Sequence, residues 1–399
     1  MTATVPEVDV DPFSTENLTD PHPMYEQLRE AGALVRIPCY DIFAVARHAE
    51  VQAVLNDWQT YISSAGVGLA NFHKETPFRP RSLILEADPP DHTRVRTVLA
   101  RILSPKAMRE MRTTFEAEAD ALLDRMMAKA ADGPVDGVRD LAEPYPLKVF
   151  PDAVGLEAEG RENLLAYGDM IFNAFGPRNA LLQKAAERVQ PVTAWIMNHC
   201  ERAALRPGGF GDQIYQAADA GEIGRDEAPM LVRSFLSAGV DTTINGLGNA
   251  LYCLSRHPEQ YAKLRDKPAL ARQAFEEGLR FESTVQTFFR TTRCDTELAG
   301  HRIPQDNKVL AFLASANRDP RQWTAPDTFD IERRASGHTA FGSGIHSCVG
   351  QAVARLEGEL VLGGLARRAT RITPAGEPVR RLNNTLRALA SLPLTLEAA

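Results

Sequence analysis

Residues 341–350 read Phe341-Gly342-Ser343-Gly344-Ile345-His346-Ser347-Cys348-Val349-Gly350, and a helix-forming stretch, Gln351 to Leu365, follows at once. A cysteine just before a helix N-terminus has its thiolate favoured by the helix dipole and by free backbone N–H groups. The same donors can tune a sulfur that ligates a metal. Gly342, Gly344 and Gly350 let backbone approach a flat ligand without a side-chain clash. Phe341 is placed to shield the sulfur from water, and His346 lies two residues from it. A lone cysteine among glycines is most simply a buried structural residue. Ten patterned residues weigh instead toward a ligand.

Nothing in the remainder of the 399 residues divides the chain. There is no Ser/Gly-rich tract, long charge run or repeat, so residues 1–399 are expected to form one domain, long enough to bury a cofactor-sized core. Pro207-Gly208-Gly209-Phe210-Gly211 suits a tight loop better than a hinge. The net charge of −7 lacks the basic footprint of a nucleic-acid binder. No apolar run reaches membrane-span length, and Met1 to Asp11 lacks the features of a secretory signal. A cytoplasmic monomer, engaging neither nucleic acid nor membrane, is expected. Five cysteines without a Cys-x-x-Cys pair argue against a disulfide framework or structural zinc.

Most of the chain reads as helix. Ser104 caps a helix with Pro105 at its first position, running to Ala131 before Asp132-Gly133-Pro134. A second spans Asp226 to about Arg256, with few charges from Phe235 to Leu247, so it crosses the core. A third spans about Ala269 to Phe281. Strand-like runs occur at Leu34–Ile37, Ile42–Ala46, Thr287–Thr292 and Val309–Leu313. The expected fold is mainly α with minor β.

Three further constellations stand out. Glu277 and Arg280 are three apart on one helix face. His92 and Arg96, in the helix begun by Asp88-Pro89-Pro90-Asp91, are four apart and share a face. In Ala238-Gly239-Val240-Asp241-Thr242-Thr243, a mid-helix glycine costs up to about 1 kcal/mol relative to Ala and so wants a reason. A small residue there leaves room for a ligand, and the Thr242 hydroxyl can bond the Ala238 carbonyl and open a groove.

The decapeptide is similar to the haem-binding loop of the cytochrome P-450 family, Phe-Gly-x-Gly-x-His-x-Cys-x-Gly in many bacterial members, with every fixed position present. The resemblance runs from Asp20-Pro21-His22-Pro23 to Leu392-Pro393. It implies the family's fold, with haem b (iron protoporphyrin IX) sandwiched between the long central helix and the helix after the cysteine loop. It implies Cys348 as the iron ligand of a monooxygenase, with Phe341, Gly342, His346 and Gly350 around the cofactor. His92, Arg96 and Arg290 correspond to propionate partners, while Ala238 and Gly239 border the haem. Asp241 and Thr242 match the oxygen-activation motif and are the implied catalytic pair. Glu277 and Arg280 match a structural Glu-x-x-Arg motif completed by Arg333.

The resemblance also implies O2 as co-substrate and a separate iron–sulfur ferredoxin with its reductase, since no flavin or nicotinamide motif appears. Arg94 to Arg112 holds six basic residues and one acid, which predicts salt-sensitive docking of an acidic ferredoxin. Substrate is read from local features. Ser234, Ala238 and Thr242 lie on one helical stripe, with Arg233 and Ser237 beside it. Arg79 and Ser82 sit in the loop that lids the cavity in this family, and Phe172, Phe175 and Phe288 fall in cavity-lining regions. These stretches resemble members that oxidise para-substituted benzoates, by hydroxylation or as a demethylase, and predict a small aromatic carboxylate. Other hydrophobic substrates (a terpene or a fatty acid), a peroxygenase and a non-catalytic haem sensor are the alternatives. The intact Asp241-Thr242 pair argues against the last two.

Overall fold

In the computed structural model, which describes residues 4–399, helices carry most of the chain and four small sheets complete it. Ser104 caps the helix Pro105–Ala130, its Oγ accepting from the Ala107 amide at 3.4 Å. The helix after the cysteine loop runs Gln351–Arg368, and the one expected near 269–281 forms as Ala271–Glu282. The four anticipated strands form as Val35–Ile37, Ile42–Val45, Thr287–Thr292 and Lys308–Phe312. With Tyr61–Ile62 they make a five-stranded sheet in the order 35–37, 42–45, 308–312, 287–292, 61–62. Between these five strands the pairing of 42–45 with 308–312 is parallel and the other three are antiparallel.

The helix expected to run unbroken from Asp226 to Arg256 is two helices, Glu227–Ala238 and Asp241–Arg256. Val240 departs from helical geometry at φ −111° and ψ −66°. Thr242 Oγ1 donates to the Ala238 carbonyl at 2.7 Å, occupying the acceptor that a continuous helix would offer to the Thr242 amide. Gly239 is small for a different reason than the sequence suggested. A Cβ there would run into the Phe150 ring, so the space is taken by Phe150 and not by a ligand.

The main apolar core gathers Val95, Leu99, Phe150, Leu247, Phe275 and Val361 from helices on all sides of the break. A smaller cluster packs the N-terminal helix His22–Ala31 against the five-stranded sheet. Unanticipated strands Val135–Asp136, Pro393–Ala398 and Ala369–Pro374 form a second sheet, and Val379–Arg381 pairs with Ala388–Ser391. The turn of that last hairpin reaches back toward the centre, where the Arg387 amide donates to the Thr284 carbonyl at 2.8 Å. No helix among the described residues is long and apolar enough to cross a membrane.

Candidate active site

A cavity of about 210 Å³ lies between the broken helix and the cysteine loop with its following helix. Ala238, Gly239, Thr242 and Thr243 line it from one side, and Cys348, Gly350, Val353 and Ala354 from the other. The loop is closed by the Cys348 amide donating to the Phe341 carbonyl and the Gly342 amide to the Thr339 carbonyl, both at 2.8 Å. Gly342 and Gly344 take φ of +68° and +69°, which a side chain would strain. A Cβ on Gly344 would also lie 2.7 Å from the Leu55 carbonyl, so packing fixes this glycine rather than approach to a flat ligand. Gly350 is open toward the sulfur, its Cβ position being 3.9 Å from Cys348 Sγ.

Cys348 is accessible from the cavity yet lies deep in the protein. Burial pushes its thiol pKa up, while the Gly350 and Gln351 amides, Arg96 and Arg355 act to lower it. Phe341 lines the cavity with the Arg355 guanidinium 4.6 Å from its ring centre. The loop is braced from behind. Glu277 and Arg280 are fully buried and joined at 2.7 and 2.8 Å, and Arg333 Nε adds a bond of 3.2 Å to Glu277. Arg280 also donates to the carbonyls of Asn317 and Pro326, as a charge so deeply buried requires. Asn317 Oδ1 accepts from the Thr339 amide at 2.6 Å, which ties this triad to the strand of chain entering the loop.

His92 and Arg96 share a face of the helix Asp91–Ile102, and the His92 ring lies 4.3 Å from that of His346. His92 Nε2 and both ring nitrogens of His346 are buried without a hydrogen-bond partner. Arg96 donates to the Ser347 carbonyl at 2.5 Å, and Arg290 to the Phe289 carbonyl at 2.9 Å. Burial pushes Arg290 down to about 10, opposed by Asp88. Arg290, His92 and Arg96 all act electrostatically on His346, so the four groups form one cluster. No carboxylate of the described residues bonds any of them directly. Orphaned buried donors beside a buried thiol fit a cofactor that carries two carboxylates and a metal, as haem does.

On the opposite side, the Thr242 side chain lines the cavity but Asp241 does not. Asp241 is buried, with Oδ1 accepting from Arg381 at 2.6 Å and Asn245 at 3.3 Å and Oδ2 unpartnered. Burial pushes its pKa up, and Arg381 works against that. Arg381 also approaches Asp169 at 3.5 Å, and Asp169 approaches the half-exposed Arg188 at 3.3 Å. A string of charged groups thus runs from Asp241 to the surface.

Of the residues read as substrate contacts, Ser82, Phe172, Ser234, Ser237 and Phe288 line the cavity. Arg79, Phe175 and Arg233 stand behind them. The Phe175 ring centre is 5.8 Å from that of Phe172 and 5.7 Å from that of Phe288. Both forks of Arg79 are taken by Glu86, at 2.5 and 2.9 Å, so this arginine is already neutralised. Arg233 is buried and donates to the Arg81 carbonyl at 2.9 Å. The Ser234 hydroxyl donates to the Met230 carbonyl and that of Ser237 to the Ser234 carbonyl, at 3.0 and 3.1 Å.

The chain is 57% identical over 397 residues to "Cytochrome p450 CYP199A2" of Rhodopseudomonas palustris, covering 100% of this chain and 96% of that protein. This chain is a cytochrome P-450. The family model described as Cytochrome P-450 matches residues 206–397. "Vitamin D(3) 25-hydroxylase" of Pseudonocardia autotrophica is 31% identical over 403 residues, covering 97% of this chain and 96% of that one. The structure of epothilone D-bound cytochrome P-450epoK has a TM-score of 0.85 at 27% identity, covering 98% of this chain and 100% of that chain. As a cytochrome P-450 the protein is a haem-thiolate monooxygenase that uses haem b. The bound haem supplies the iron at which O2 is activated. Sequence reasoning missed Arg381, Asp169 and Glu86. Arg381 and Asp169 meet across a long stretch of chain, Glu86 pairs with the nearby Arg79 inside an irregular loop, and none carries a local pattern of its own.

Proposed function

We propose that this cytochrome P-450 oxidises a small aromatic carboxylic acid, a para-substituted benzoate, by hydroxylation or O-demethylation at the end remote from the carboxylate. One observation carries the reading. Arg233 is buried beside the cavity serines of its own helix, and its hydrogen bond is to a carbonyl, with no carboxylate of the described residues paired to it. An unpaired buried charge is costly, and a substrate carboxylate held by the Ser82 hydroxyl, and by those of Ser234 and Ser237 once they turn from their helix carbonyls, would offset it. Phe172 and Phe288 present rings suited to a flat substrate. Anchoring the acid end aims the para substituent across the cavity toward the cysteine side.

In this reading Phe341 keeps water from the Cys348 sulfur. His92, Arg96, Arg290 and His346 hold the cofactor's carboxylates. Thr242 holds a proton at its hydroxyl where O2 reacts, and Asp241, held in place by Arg381, moves protons inward from the side of Asp169. Electrons come from a separate ferredoxin and its reductase. The test compares 4-methoxybenzoate with its methyl ester and its meta isomer. The acid should give the larger ferric spin-state shift and faster, oxygen-dependent turnover with an added ferredoxin and reductase. Equal responses to acid and ester would sink the carboxylate anchor.

A further inference from the structure

Lys308 opens the strand Lys308–Phe312 and is buried, 5% exposed. Its Nζ donates to the carbonyls of Gly66 at 2.7 Å and Ala65 at 3.1 Å, and it forms no ion pair with any described residue. The next residue, Val67, is part of the cavity wall. The Val67 amide approaches Glu86 Oε1 at 3.5 Å, and the Ser82 amide donates to Glu86 Oε2 at 3.0 Å. Glu86 is itself buried and bound through both oxygens by Arg79.

Behind the wall made by Val67, Ser82 and Leu85, two buried cations therefore face one buried carboxylate. Arg79 holds that carboxylate, and Lys308 is left with carbonyl dipoles alone. The charges acting on Lys308 are Glu86 and Glu75, which favour its ammonium, and Arg290 and Arg79, which disfavour it. Glu75 is engaged by Arg178 at 3.3 Å on the surface, and Arg290 belongs to the propionate cluster. Burial outweighs the acids and pushes the ammonium down to about 7. The folded chain thus holds a cation that gains from a further negative charge nearby.

We propose that Lys308 sets the preference of this enzyme for anionic over neutral substrates, its ammonium being compensated when a carboxylate occupies the Ser82 end of the cavity. This rests on the benzoate reading above and deepens it. Lys308 touches no substrate. It acts through the field it projects past Val67, where Arg233 acts from the helix side.

The experiment titrates the ferric spin state of the haem-loaded protein with 4-methoxybenzoate and with its methyl ester, and takes the ratio of the two Kd values. Wild-type protein should favour the acid. Lys308→Met should shrink that preference about tenfold, the scale of one buried charge, and leave the ester unchanged. Lys308→Arg, which keeps the charge, should retain the preference. Glu86→Gln removes the competing carboxylate and should enlarge it several-fold, a change of sign that general damage to the lid would not produce. The reduced, carbon monoxide-bound spectrum checks the fold of each variant. A wild-type preference for the acid that survives in correctly folded Lys308→Met overturns this proposal alone. If Lys308→Met does not take up haem, Glu86→Gln decides, and a preference that fails to rise overturns the proposal. Wild-type protein that binds acid and ester alike overturns the benzoate reading and this inference with it.

Discussion

At the sulfur of Cys348 two influences compete. Burial raises the thiol pKa, and the two amides of the following helix turn lower it. An iron ion would decide the matter, since a coordinated thiol is deprotonated outright. Cys348→Ser should therefore remove the strongly red-shifted Soret band of the reduced, carbon monoxide-bound protein, while Cys253→Ser keeps it. The reverse pattern would refute the ligand assignment. Thr242→Ala should still bind substrate and consume reductant, with a larger share of the oxygen leaving as peroxide. Unchanged coupling would remove the role given to that hydroxyl. Both residues were legible because their partners are close in sequence: Phe341 and Gly350 for the thiol, Ala238 for the threonine. Asp241 was legible only in part. Its place in the motif marks it, but its partner Arg381 lies 140 positions on, in a hairpin with no signal in a single chain.

Among elements, the broken helix is the one whose reading changed most. Its apolar middle and its terminal signals fit one long helix, and the interruption depends on how a single hydroxyl spends its hydrogen bond. Phe150 then fills the space beside Gly239. Gly239→Ala should cost about 1–3 kcal/mol of stability by overpacking, read as a lower denaturant midpoint at constant slope. The hairpin strand carrying Arg381 offers another test. Burial already raises the Asp241 pKa and Arg381 holds it down, so Arg381→Gln should raise it further. A smaller fraction of Asp241 is then ionised at neutral pH, and the acid limb of the pH–rate profile should move to higher pH. A limb that stays put would separate Asp241 from proton delivery. The small sheets at 369–398 escaped notice because 393–398 pairs with 369–374 across an intervening hairpin and with 135–136 far back in the chain, and the local hairpin of 379–381 with 388–391 has strands of three and four residues with a register shift.

For the whole molecule, charge tells a more balanced story than the sequence did. Of the six basic residues between Arg94 and Arg112, Arg94, Arg101, Lys106 and Arg112 pair with Glu227, Glu222, Glu110 and Glu359, and Arg96 turns inward. The field expected to steer a ferredoxin is thus largely spent, with Arg109 the exposed member of the six that forms no ion pair with any described residue. Reduction by an acidic ferredoxin should slow only modestly as ionic strength rises, and Arg109→Glu should slow it more than Arg101→Glu. Equal effects would place the docking surface elsewhere. Acid should loosen the fold. Glu276 and Glu282, each held by basic partners, have pKa values lowered to about 2. Their stabilisation is full above the ordinary carboxylate range near 4.5 and is lost as pH falls toward 2, so the thermal midpoint should drop across that window and Glu282→Gln should flatten the fall. The cluster of His92, Arg96, Arg290 and His346 bears finally on how the enzyme is assembled in a cell. Two arginines, one buried and one half-buried, beside two imidazoles that burial and those charges hold toward the neutral form, have no carboxylate of the described residues to bond until anions arrive, so the chain and its cofactor are partners in folding before they are partners in catalysis. A ligand bound only by the folded state shifts the folding equilibrium by mass action. When the chain is made faster than haem is supplied, the haem-free fraction should therefore melt earlier and meet proteases first, and the cellular level of the enzyme should follow the supply of haem more closely than that of its message.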